Sequence, residues 1–200
     1  MEIPYNTTIY REMKDTGKLI APVADWQTKR RWVKEAFAAL ESAGYTVGSG
    51  YTAVKDPAKS KFIYRDALWG GADLLGLGVA SFSHAAGVHY QNLTEIDDYT
   101  AAIKSGEMPT KRSFRTTEEQ RMIREFILRM KLGRVDAGHF EAKYGVDVLG
   151  RWEEELNDLT EEGLLLVEGK DIVLERDGLL CVDNILHDFF LPEHRTNKLV

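Results

Sequence analysis

Ala72-Asp73-Leu74-Leu75-Gly76-Leu77-Gly78-Val79 is the stretch on which the fold reading turns. An apolar run punctuated by glycines predicts a buried strand that delivers its backbone to a ligand-facing edge. Glycine has no Cβ, so the chain at Gly76 and Gly78 can come close to a partner, and Val79 to Ser83 can offer it N–H and C=O groups. A tight strand exit packed against a neighbour would use the same residues. The pair is not a dinucleotide fingerprint. Ser81 stands where the third glycine belongs, and no acidic residue follows at the needed offset.

Upstream, Asp25 or Thr28 can cap a helix whose apolar residues Val33, Ala36, Phe37, Leu40 and Ala43 recur at helical spacing, with Gly44 closing it. The basic run Lys29-Arg30-Arg31 near its start reads as a solvated face. Tyr45-Thr46-Val47 follows as a short strand, and helix then strand suggests the alternation of a parallel sheet. Residues 48 to 71 read as loop, with a strand at Tyr51–Val54 and an aromatic anchor at Phe62-Ile63-Tyr64. Downstream, Ile96 to Lys104 reads as a helix stopped by Gly106.

From Thr117 the pattern is mainly helical. Thr116 or Thr117 with Glu119 or Gln120 forms a capping box ahead of the stripe Met122, Ile123, Phe126, Ile127, Met130. Asp136 caps a helix closed by Gly145, and Asp147 caps one closed by Gly163. Leu164–Val167 and Asp171–Leu174 flank Glu168-Gly169-Lys170 as a hairpin, and a last helix is expected from Asp177 to Phe190. Three helices, a hairpin and a closing helix make a winged-helix-like module.

Composition narrows function. The chain has 200 residues, with 26 Lys+Arg against 32 Asp+Glu for a net charge of −6. Neither nucleic acid nor an anionic membrane suits that balance. The segment expected to act as a recognition helix carries Arg151 against seven acids from Asp147 to Glu162, so phosphates would be repelled. A single cysteine, Cys181, supports neither a disulfide framework nor a cluster held by this chain's own thiolates. No apolar run approaches a membrane span of about 20 residues, and the opening Met1-Glu2-Ile3-Pro4 lacks a leader pattern, so the expected compartment is the cytoplasm. His84 and His89 are five apart in an expected loop without a third metal ligand. Ser81 and Ser83 lie beside His84 without a nucleophile elbow, which makes a hydrolase triad improbable.

The run Gly71-Ala72-Asp73-Leu74-Leu75-Gly76-Leu77-Gly78-Val79-Ala80-Ser81-Phe82-Ser83, with Tyr90-Gln91-Asn92 some ten residues on, resembles the oxygen-independent coproporphyrinogen III oxidase family of radical S-adenosylmethionine proteins. So does the tail Trp152-Glu153-Glu154-Glu155-Leu156, Glu162-Gly163-Leu164-Leu165, Asp177-Gly178-Leu179-Leu180, Asn184-Ile185 and Phe189-Phe190. Order and spacing match that family's C-terminal region over nearly the whole chain. The resemblance implies a [4Fe–4S] cluster, bound elsewhere through a CxxxCxxC motif, and S-adenosylmethionine cleaved to a 5′-deoxyadenosyl radical. It implies oxidative decarboxylation of propionates of coproporphyrinogen III, a tetrapyrrole, in the complete protein. It places Gly76, Gly78 and Phe82 beside S-adenosylmethionine, with Met1 and Glu2 at the end of a late barrel strand also near it. Arg11 and Arg65 are candidates for gripping propionates bidentately, and His84 is a third substrate candidate.

The expected fold is therefore α/β. Residues 1–112 would be the end of a partial (β/α) barrel and its edge, residues 113–195 a helical winged cap, and 196–200 a tail. Lacking the cluster motif, the chain is expected to be a fragment, inactive by itself, with an exposed sheet edge that favours aggregation. Alternatives within the resemblance are a heme-binding chaperone, in which His84 and His89 would ligate iron, and a heme-modifying methyltransferase. A plain protein-interaction module is the alternative outside it.

Overall fold

The protein is described here from a computed structural model, which describes residues 7–17 and 24–195. Met1 and Glu2 lie outside the described residues. Helix α1 (Thr8–Thr16), in a segment without a sequence assignment, starts at Thr7, whose hydroxyl accepts from the Tyr10 amide at 3.3 Å. Helix α2 (Trp26–Ser42) is capped by Asp25, which accepts from the Thr28 amide at 2.7 Å. Of its apolar stripe only Phe37 is buried and Leu40 half-buried, while Val33, Ala36 and Ala43 are exposed.

Strands β1 (Thr46–Ser49) and β2 (Thr52–Val54) form an antiparallel pair, and helix α3 (Ile63–Trp69) occupies part of what reads as loop in the sequence. Phe62, Ile63 and Tyr64 are exposed rather than buried as an anchor, with Phe62 covered in part by Arg65. Nor is Ala72–Val79 a strand. It is an irregular segment whose one backbone bridge to the sheet joins Leu74 and His84, and Leu75 and Leu77 point into solvent, 68% and 87% exposed. Leucines in a glycine-punctuated run look buried in sequence. Here the segment runs extended along the sheet margin, so alternate side chains face solvent, and the chain turns only at Gly78 to Ala80.

The sheet lies just downstream. Strands β3 (Phe82–Ala85), β4 (Val88–Asn92) and β5 (Thr110–Arg115) form an antiparallel sheet in that order, with helix α4 (Ile96–Ser105) crossing between β4 and β5. Ala86 and Gly87 join β3 to β4 with φ of 50° and 74°, the two positive dihedrals that a two-residue hairpin loop matched to strand twist requires. The expected parallel alternation is thus absent. Every strand pair among the described residues is antiparallel.

Helix α5 (Glu118–Met130) begins with the Thr117–Gln120 capping box. Strand β6 (Arg134–Asp136) follows, then α6 (Ala137–Tyr144), α7 (Val148–Arg151) and α8 (Glu153–Glu161). The third helix of the sequence pattern is broken at Trp152, whose indole is buried against Phe126 at 4.3 Å between ring centres. Strands β7 (Leu165–Glu168) and β8 (Asp171–Leu174) form the expected hairpin, and β6 adds to it in the order β6-β8-β7. The expected closing helix is instead three short pieces, α9 (Arg176–Leu180), α10 (Val182–Ile185) and a 3₁₀ turn at Leu186–Phe189. A last turn, α11 (Pro192–Arg195), follows.

The core lies in this second half. Phe126, Phe140 and Phe189 are fully buried and meet Trp152 in an aromatic cluster, walled by Met122, Met130, Val148, Leu165 and Ile172. Aromatic pairs at these separations add to what their buried area contributes. Gly178 is required by packing: a Cβ there would lie 2.0 Å from the Leu164 carbonyl oxygen. None of the described helices is long and apolar enough to cross a membrane.

Candidate functional site

The glycine turn is wired internally. The Gly76 amide donates to Ser83 Oγ at 2.9 Å, and the Gly78 amide donates to the Tyr99 hydroxyl at 3.0 Å. The side-chain amide of Asn92, buried at the end of β4, donates to both glycine carbonyls at 3.0 and 2.9 Å. The Ala80 amide donates to Leu93 O, and Ser81 O accepts from the Asn92 amide. Most of the main-chain groups that could have faced a ligand are therefore satisfied at home, as the packed strand-exit reading requires. Gly76 is needed because a Cβ would meet Phe82 O at 2.3 Å, and Gly78 because its φ is 91°. What the turn presents outward is side chain: Leu75, Leu77, Val79 and Phe82.

Beyond the turn, strand alternation puts a set of side chains on one sheet face. Phe82 and His84 alternate along β3, His84 pairs directly with His89, and His89 pairs with Phe114 on β5. Phe82 stacks on His89 with centroids 5.6 Å apart, and the Arg112 guanidinium lies 5.9 Å from the Phe82 ring centre. The two imidazoles are 6.1 Å apart and tilted by 43°. Sharing one face, they cannot clasp an iron from its two axial sides, so the bis-histidine heme reading loses its geometry. No group of three or more His, Cys, Asp or Glu side chains among the described residues is placed to hold a metal.

Part of this face is roofed by α5 and the C-terminal segment, leaving a cavity of about 310 Å³. Phe114, Ile123, Ile127, Phe190 and Leu191 supply its apolar wall, and His84, His89, Arg124 and His194 its polar groups. Burial pushes the His84 imidazole below its ordinary range, and the nearby Arg124 and His89 add to that. His89 is lowered for the same reasons, burial first and then Arg124 and Arg112. Arg124 is itself half-buried, and its guanidinium is lowered by desolvation against the pull of Asp73 and Glu125.

Behind the cavity stands Glu125, buried to 2% exposure on α5. Burial by itself would raise its carboxyl. Four donors outweigh it: Lys143 at 2.6 Å, Tyr144 at 2.8 Å, His139 at 2.6 Å and Arg129 at 3.0 Å, together holding the pKa down to about 2. Arg129 also donates to Gly70 O at 3.1 Å, and a Cβ on Gly71 would strike the Glu125 carboxyl at 2.8 Å. One carboxylate thus ties α5 and α6 to the approach of the glycine turn.

The structure brings Gly76, Gly78, Phe82 and His84 into one neighbourhood and leaves the two arginine candidates outside it. Arg65 donates to Asp66 at 2.8 and 2.6 Å, to Ser49 at 3.3 Å and to Thr52 Oγ1, and it packs over Phe62 and Trp69. It staples α3 to the β1–β2 pair. Arg11 is exposed on α1 and does not line the cavity. Arg124, Phe114 and Arg112 were not among the sequence candidates; the period-two pattern around Ala86-Gly87 and in Arg112-x-Phe114 could have found the two strand residues, whereas Arg124 on α5 carries no such signal. Cys181 donates to Asp177 O at 3.1 Å, and burial raises its thiol, so it is a packed residue and no cluster ligand.

The fold is similar to that of part of a solved enzyme. The solved coproporphyrinogen III oxidase from Escherichia coli, described as a radical SAM enzyme, superposes with a TM-score of 0.65 at 22% identity, covering 90% of this chain and 44% of that one. The oxygen-independent coproporphyrinogen III oxidase of Pseudomonas aeruginosa is 28% identical over 132 residues, which is 62% of this chain and 28% of the relative. No family model matches. The chain thus spans less than half the length of either protein, and the resemblance drawn from its motifs to the C-terminal region of the coproporphyrinogen oxidase family holds.

Proposed function

We propose that this chain is the part of a coproporphyrinogen III oxidase-like radical SAM protein that covers the cofactor and tetrapyrrole, with the cluster carried on other sequence. The match of 90% of the chain to the Escherichia coli enzyme's fold carries this reading. The residues present do not fit an iron–sulfur cluster, because the single cysteine is packed against a backbone carbonyl. They do fit one wall of a cofactor site: an exposed Phe82 ring held by His89 and Arg112 beside a turn whose shape Gly76 and Gly78 fix. S-adenosylmethionine, when bound, supplies the radical. This chain's residues supply apolar contact, exclusion of water and a fixed turn.

The test is anaerobic assay of a protein carrying this chain together with the cluster-binding part of the family. Coproporphyrinogen III should be converted to protoporphyrinogen IX, and Phe82→Ala should lower that rate at least about tenfold. Cleavage of S-adenosylmethionine without decarboxylation would refute the oxidase reading.

A further inference from the structure

Among the described residues, two polar side chains on the cavity between the β3–β5 sheet and α5 have no hydrogen-bond partner, and one of them is also cut off from water. His84 is only 6% exposed, and its Nδ1 is buried with no hydrogen bond. Arg124 is half-buried with no hydrogen bond or ion pair to its guanidinium among the described residues; Asp73 and Glu125 act on it only through space. Glu125 cannot serve as its partner, because both of its oxygens are taken by Lys143, Tyr144, His139 and Arg129. Leaving a buried donor unmade costs more than a hydrogen bond returns, so such groups are usually completed by something else. The remaining wall is mainly apolar, from Phe114, Ile123, Ile127, Phe190 and Leu191, with His89, Thr116, Gln120 and His194 among it, and at about 310 Å³ the space is at the small end of ligand pockets.

We propose that this cavity binds an apolar molecule through a carboxylate, gripped by the Arg124 guanidinium and accepting a hydrogen bond from His84. The chemistry of each group fits. A guanidinium offers a planar fork to two carboxylate oxygens, and a neutral imidazole can carry its proton on the nitrogen facing the ligand. A cation would be repelled by Arg124, and a strongly hydrated dianion such as phosphate would be stranded on the aliphatic wall. The carboxylate could belong to a free amphiphilic acid or to a side chain of a larger ring, and the inference does not rest on the oxidase reading.

The experiment is calorimetric titration of the full chain at pH 7.5 with decanoate, with decanol and with coproporphyrin III, repeated on Arg124→Gln, Arg124→Lys and Arg112→Gln. Decanoate or coproporphyrin III should bind, decanol at least about tenfold more weakly, and Arg124→Gln should weaken the acid by about ten- to a hundredfold. Arg124→Lys should fall between, and Arg112→Gln should bind as the parent does. Binding of decanoate assigns a free acid, and binding of coproporphyrin III without decanoate assigns a ring substituent. Histidine proton spectra give a separate readout: a bound carboxylate raises the titration of His84, which burial and Arg124 otherwise hold down. Equal affinity for decanoate and decanol, no binding of either acid at millimolar concentration, or an unchanged Arg124→Gln would each overturn the assignment.

Discussion

Replacing Glu125 by Gln removes one negative charge from beneath four donors and leaves Lys143 and Arg129 facing an amide. The carboxyl is held from its ordinary 4.5 down to about 2 in the folded chain. At about 1.36 kcal/mol per tenfold change in proton affinity, that depression corresponds to roughly 3 kcal/mol of stability at neutral pH. The carboxyl is lowered on folding, so the contribution is complete above the unfolded value and is lost as pH falls toward 2. By pH 3 about 2 kcal/mol of it should be gone. The assay is urea unfolding followed by the emission of the buried Trp152, at pH 7 and pH 3, for the parent and Glu125→Gln. Other carboxylates titrate in the same window, but they do so in both proteins. The difference between the two proteins isolates Glu125: about 3 kcal/mol at pH 7, shrinking to about 1 at pH 3. A variant as stable as the parent at pH 7, or a difference that does not shrink on acidification, would refute the reasoning.

Phe126→Ala empties the centre of the aromatic cluster, where the side chain is fully buried against Phe140, Trp152 and Phe189, and should cost about 3–5 kcal/mol in the same urea experiment. Gly178→Ala forces a methyl into the Leu164 carbonyl and should destabilise by about 2 kcal/mol or more, although alanine ordinarily favours helices. Asn92→Ala strips donors from the Gly76 and Gly78 carbonyls; amide exchange at 76–81 should quicken at least about tenfold while the Phe126 core stays protected.

The second half was the more legible because its punctuation is chemical. Thr117 with Gln120, Asp136, Asp147, Gly145 and Gly169 each stand where a cap or a positive φ is required, and each does that work in the structure. Two helices written as continuous are broken without Gly or Pro, at Trp152 and at Cys181, because burying Trp152 in the cluster and folding α10 back on the core outweigh local helical continuity. The first half hid its sheet. Strands of four to six residues with polar faces, joined through Ala86-Gly87, offer little periodicity, while the glycine run beside them carries a strong pattern that packing does not honour. Family motifs pointed to Gly76, Gly78 and Phe82, which the structure brings together beside the β3–β5 sheet. They could not point to Glu125, whose role comes from partners on α5 and α6, or to Arg124, whose place is set by the cavity it faces.

Stability and candidate chemistry occupy different parts of this chain, and Ile123 is where they meet. The core is built from Met122 onward, whereas the cavity's polar groups are drawn from β3, β4, the cavity-facing side of α5 and the C-terminal turn. Substitutions at Arg124 or His89 therefore leave the aromatic cluster untouched. Ile123 belongs to both, being 6% exposed within the core and part of the cavity wall. Trimming it to Ala would enlarge the cavity and loosen the helix that presents Arg124, so lost binding and lost stability would arrive together. Ile123→Val keeps most of the packing, at a cost of about 1 kcal/mol, and is the variant from which the cavity's apolar contribution can be read apart from the fold.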